Sequence, residues 1–134
     1  MQQSGGGTMT RYEELLSEYE EVLDIEERSM ICDGLYCDRI VWINKKLPEA
    51  RRTCILAEEI GHYETSSGNI LDLKDMNNAR QELRARKWAY EKIIPFGDVL
   101  RAAQAGCQNT WEFAEHLDVD EEFMAACLRH YGIL

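Results

Sequence analysis

Glu58, Glu59 and His62 stand together in the stretch Cys54-Ile55-Leu56-Ala57-Glu58-Glu59-Ile60-Gly61-His62-Tyr63. On a helix, residues 58 and 62 lie one turn apart on the same face, with residue 59 beside them. That is the geometry of the H-E-x-x-H helix, in which the outer pair binds a metal ion and the Glu serves as general base. Here Glu58 takes the place of the first His. A hydrolytic zinc site needs three protein ligands, an open position for water and a base for the water's proton. His62 offers an imidazole, Glu58 a carboxylate in place of the usual second imidazole, and Glu59 is placed as the base. Glu82, on a later helix, is the natural third ligand.

The substitution has physical consequences. A Glu/His/Glu set carries two negative charges where His/His/Glu carries one. The extra anionic ligand lowers the Lewis acidity of the metal and raises the pKa of its bound water. More oxygen also shifts preference from zinc towards harder ions such as manganese. Without a cation, Glu58, Glu59 and Glu82 repel one another, and at least one must take up a proton.

The elements that must position these residues are legible in the pattern. The site helix is expected from about Pro48 to Glu64, with Pro48 suited to its first turn. Gly61 inside it costs about 1 kcal/mol relative to Ala, which is tolerated where another backbone or a ligand must come close. Thr65 to Gly68 (TSSG) has the chemistry of a helix end. Asp72, in the connector that follows, is a candidate second carboxylate behind the histidine. The next helix is expected from Asn77 or Asn78 to Ile94, stopped by Pro95. Ala85 and Ala89 follow Glu82 at i+3 and i+7, a face of small residues that lets another helix approach.

Before the site helix, Thr10-Arg11-Tyr12-Glu13 fits a capping box. Tyr12, Leu15, Leu16, Tyr19, Val22 and Leu23 then make an apolar helical stripe. Between Ile25 and Asn44 the period changes. Asp33-Gly34 is a turn signal, and Leu35-Tyr36-Cys37 and Ile40-Val41-Trp42-Ile43 are β-rich runs around Asp38-Arg39, which predicts a small antiparallel hairpin or sheet. An edge strand there could hold an extended peptide by strand addition. After Pro95 the chain reads as helices: Phe96 to Ala105, one capped by Asn109 or Thr110, and a last one opened by Asp118-x-x-Glu121. The final two could suggest helix-turn-helix, but the second opens with Asp120, Glu121 and Glu122, where a DNA reader would meet phosphate. They are read as a structural or protein-contact lobe, and His116 and His130 as surface histidines.

The expected architecture is α+β and mostly helical. Residues 1–9 read as a flexible leader, 10–95 as the core carrying the site, and 96–134 as a helical C-terminal lobe on the same domain. The chain's 134 residues fit one domain, and 25 acidic against 15 basic residues give a formal charge of −10. Such a field disfavours direct nucleic-acid binding and favours a protein partner, above all a basic one. No run of about 18 apolar residues predicts a membrane span. Five cysteines with no C-x-x-C fit reduced thiols in a cytoplasmic protein.

Two motifs in order carry a resemblance. Cys54-Ile-Leu-Ala-Glu-Glu-Ile-Gly-His62, then Glu82-x-x-Ala85-x-x-Trp88-Ala89-Tyr90-Glu91-x-Ile-Ile-Pro95, resemble the two helices of the ImmA/IrrE family of metallo-endopeptidases. Gly34-Leu-Tyr-x-Asp-Arg-Ile-Val-Trp-Ile-Asn44 is similar to the family's hairpin. The resemblance implies a small zincin-like (gluzincin-like) fold, of the kind found in prophages and mobile elements, that cleaves or otherwise antagonises a helix-turn-helix repressor. By position it implies His62 and Glu82 as metal ligands and Glu59 as base. Glu58 stands where the family has its first ligand His, and Arg86 where it often has Asn. The expected function is thus a metal-dependent endopeptidase using zinc or another divalent cation such as manganese. The alternative is a catalytically impaired anti-repressor that keeps the fold as a protein-binding module.

Overall fold

A computed structural model describes residues 8–66 and 77–134. Helix α1 (Arg11–Tyr19) leads into strands β1 (Asp24–Arg28), β2 (Gly34–Cys37) and β3 (Ile40–Asn44), and five helices follow: α2 (Glu49–Thr65), α3 (Asn77–Ile93), α4 (Phe96–Gln104), α5 (Thr110–Leu117) and α6 (Glu121–His130). The capping box opens α1 as its sequence predicts, with Thr10 and Glu13 each bonding the other's backbone N–H. The helix ends at Tyr19, before the apolar stripe does. Leu23 still reaches the core, whereas Val22 is exposed, because the helical period that would have turned it inward has stopped.

β2 and β3 form the expected antiparallel hairpin, with Cys37 opposite Ile40. The reversal is made by Asp38 and Arg39, both at positive φ (49° and 69°), the twist that suits a two-residue hairpin loop. Asp33-Gly34 is not that reversal; it leads the chain into β2. A third strand completes a mixed sheet of order β1-β3-β2, since β1 pairs parallel with β3. β1 (DIEER) gives no apolar alternation to reveal it. Besides its ladder with β3, side chains fix it: Tyr12 donates to Glu27 at 2.6 Å, and Arg52 on α2 pairs with Glu27 at 2.8 Å.

One hydrophobic cluster runs from Tyr12 on α1 to Leu128 on α6, and Ile43, Leu56, Ile60, Ile94 and Met124 are fully buried in it. Val41 and Ile43 turn the sheet's inner face onto α2, as period-2 alternation requires. Cys54 and Cys127 lie in the same core, where burial pushes both thiols up to about 12, so neither is a nucleophile at neutral pH. All five cysteines are free thiols. No helix among the described residues is long and apolar enough to cross a membrane.

The C-terminal helices meet differently from the Asp118-x-x-Glu121 expectation. Asp118 is the left-handed C-cap of α5, and Asp120 is the N-cap of α6, accepting from the Phe123 N–H. With so short a connection, one residue must close the first helix in a left-handed turn, and Asp tolerates that region better than most. Asp120 also accepts from Arg51 of α2 at 3.3 Å, tying the lobe to the site helix. Replacing Asp120 with Ala is expected to cost about 1–2 kcal/mol through lost cap and ion pair. Urea unfolding checks this, with Glu121→Ala, on the exposed side of the same turn, expected to stay within about 0.5 kcal/mol of the parent.

Candidate active site

Two helices supply the chemistry and one glycine brings them together. α2 carries Glu58, Glu59 and His62; α3 carries Glu82 and Arg86. At Gly61 an added Cβ would lie 2.5 Å from the Ala85 carbonyl oxygen, so the backbones touch where any other residue would hold them apart. Ala85 and Ala89 are fully buried in that seam. The close approach puts His62 Nε2 3.1 Å from Glu82 Oε2.

β2 closes the third side. An added Cβ at Gly34 would meet Ile55 Cγ2 at 2.5 Å and Glu59 Oε2 at 3.1 Å, so the start of this strand lies directly over the Glu59 carboxylate. The Tyr36 ring runs parallel to the His62 imidazole, with centroids 6.4 Å apart. Together Gly34, Leu35, Tyr36, Glu59, His62 and Glu82 line a cavity of about 380 Å³. β2 lies at the edge of the sheet, beside that cavity.

Glu59 is mostly buried there, and its carboxyl is pushed up to about 8, first by desolvation and then by the charges of Glu58 and Glu82. It therefore keeps its proton at neutral pH. This is the proton uptake that crowded carboxylates demand.

Glu58 faces elsewhere. It lines a neighbouring cavity of about 280 Å³ with Arg51, Arg86, Tyr90 and Phe123. Burial raises its pKa, opposed by the Arg86 and Arg51 guanidinium groups. Arg51 in turn bonds Asp33 at 3.0 Å and Asp120 at 3.3 Å. Arg86 reaches Glu82 Oε1 at 3.8 Å. The structure thus brings Glu59, His62 and Glu82 into one cavity and leaves Glu58 out of it. Asp72 lies outside the described residues.

The donor chemistry can be judged residue by residue. His62 Nε2 and Glu82 Oε2 are separated by about the span of two ligands on one tetrahedral ion. Glu58 does not join them, and among the described residues no group of three His, Cys, Asp or Glu side chains could hold a metal ion. Gly34, Tyr36 and Arg51 are wall and partner residues that the sequence pattern does not single out. Gly34 carries a hint in its Asp-Gly turn signal, and Tyr36 in the hairpin segment that contains it.

A helix bearing E-E-x-x-H, a second helix bearing a facing Glu, and a strand edge beside them define a metallopeptidase-like domain. The family model described as the IrrE N-terminal-like domain matches residues 7–129, and the chain belongs to that family. A search of the curated proteins finds no match.

Proposed function

We propose that this chain acts as a metal-dependent endopeptidase on a protein partner, a helix-turn-helix repressor of the phage or mobile-element kind, in the cytoplasm. The observation that carries the reading is the convergence of Glu59, His62 and Glu82 on one cavity at the edge of β2. An edge strand offers unpaired N–H and C=O groups to an extended segment, giving affinity through the main chain. The −10 charge suits a basic, DNA-binding partner. His62 and Glu82 would supply two of the donors for a divalent ion, zinc or manganese, which when bound would polarise a carbonyl and acidify a water. Glu59 carries the proton: a bound cation would favour its ionised form, whose carboxylate accepts a proton from water and returns it to the leaving amine.

A second reading, in which the fold binds and sequesters the partner without cutting it, is favoured by the position of Glu58 beside Arg51 and Arg86. One experiment separates them. The purified chain is incubated with a phage-type repressor and zinc or manganese, alongside Glu59→Gln and His62→Ala. Hydrolysis predicts fragments that vanish in both variants. Sequestration predicts a complex by gel filtration that survives Glu59→Gln and leaves the partner intact. Neither fragments nor complex would reject both readings.

A further inference from the structure

Arg86 lies between the two cavities. One turn along α3 from Glu82, it approaches that carboxylate at 3.8 Å on the side opposite His62: Glu82 gives Oε2 to the imidazole and Oε1 to the guanidinium. It also lines the second cavity with Glu58, which is one helical turn from His62. The Gly61–Ala85 contact fixes the register between the helices, so this arrangement is set by backbone packing and not by long side chains alone. A guanidinium here does electrostatically what a bound cation would do, compensating carboxylates on both helices. It cannot accept electron pairs, so it binds the acids without any Lewis acidity.

We infer that Arg86 is the built-in cation of this site, drawing Glu58 and Glu82 towards itself and keeping Glu58 from completing a three-donor set with His62 and Glu82. Removing its charge frees Glu58 to turn towards His62 as a third donor and tightens the hold of the site on a single divalent ion. The inference rests on the reading of His62 and Glu82 as metal donors, and the test separates the two.

The chain is titrated with zinc and with manganese by calorimetry, with elemental analysis of stoichiometry and thermal unfolding in the presence and absence of each ion. The variants are Arg86→Gln, Arg86→Lys, Arg86→Gln combined with Glu58→Gln, and Arg86→Gln combined with His62→Ala. Arg86→Gln is expected to bind one ion per chain, on the order of tenfold or more tighter than the parent, the scale of a lost charge repulsion near a metal. Arg86→Lys is expected to show no such gain, because the positive charge remains. The gain should disappear when Glu58 is also replaced. Arg86→Met removes the same charge while keeping the apolar stem, and reports the same quantity should the Gln variant fold poorly.

If Arg86→Gln binds no tighter than a parent that already binds through His62, the donor reading stands and the inference about Arg86 is overturned. A gain that survives Glu58→Gln overturns it as well. If no variant binds either ion, or if binding is indifferent to His62→Ala, the donor reading itself fails, and the inference with it.

Discussion

Glu59→Gln raises the thermal midpoint at pH 9 and leaves it nearly unchanged at pH 4: this is the expected result of uncharging the cavity. The Glu59 carboxyl is held at about 8 in the fold, against an ordinary value near 4.5. Below pH 4 both folded and unfolded chains carry the proton, so the residue has no pH-dependent effect. Between the two values the unfolded chain releases the proton and the folded chain keeps it, so stability falls steadily as pH rises. Above pH 8 the carboxylate is charged in both states, and the whole penalty is in place. The gap caps that penalty at about 5 kcal/mol. Water reaching the cavity reduces it, and a difference of about 1–3 kcal/mol, or roughly 5–10 °C, is expected between variant and parent at pH 9. Comparing the two proteins at each pH removes the contribution of the other acids. An equal difference at pH 4 and pH 9 would contradict the buried, crowded carboxyl. Where the parent cuts a partner, the same variant is expected to lose about 10²–10⁴-fold in rate, the usual worth of a positioned acid–base group.

Gly61→Ala is the second large effect. Ala is the better helix former by about 1 kcal/mol, so in an isolated helix the change would stabilise. In this chain the new methyl lands 2.5 Å from the Ala85 carbonyl oxygen, a backbone atom that no rotamer change can move. The two helices must separate by several tenths of an ångström along a seam in which Ala85 and Ala89 are fully buried. Overpacking of this kind typically costs about 1–3 kcal/mol and occasionally more. A net loss of about 1–3 kcal/mol is expected in urea unfolding. The change should also spoil the 3.1 Å His62–Glu82 approach, which spans the same seam. Divalent-ion affinity and any hydrolysis are then expected to fall further than the stability loss explains, since misplacing donors by an ångström is enough to cost about 10²-fold. A variant as stable as the parent, with unchanged ion binding, would show that the seam is not what sets the site.

The site's two helices were legible because their signals are local. Pro48 and Pro95 bound the site helix and the one after it, the i, i+4 spacing puts Glu58 and His62 on one face, and the small residues at 85 and 89 announce a close neighbour. Gly61 was readable as a close approach for the same reason: a glycine in a helix interior has a local cost that some contact must offset. β1 was not legible. Its residues are mostly exposed, and it is held by a parallel ladder with β3 and by Tyr12 and Arg52 from two helices, contacts that no short-range pattern encodes. The handover from α5 to α6 at Asp118 and Asp120 was misplaced by sequence because both aspartates suit a cap. Backbone closure between the two helices decides which role each takes.

Which residues could do chemistry, and on which helices they stand, can be read from the chain's local pattern. Helical periodicity and capping depend only on neighbours a few positions apart, and two motifs in order were enough to point to the family. The tertiary structure alone decided which way each acid faces. Glu58 and Glu59 are adjacent in sequence but line separate, neighbouring cavities, the first towards Arg51 and Arg86, the second under Gly34 beside His62. Adjacent helical positions differ by about 100° around the axis. His62 lies between them around the axis, about 40° from Glu58 and about 60° from Glu59, so it is the packing of Arg51 and Arg86 beside Glu58 and of Gly34 over Glu59 that parts the two acids.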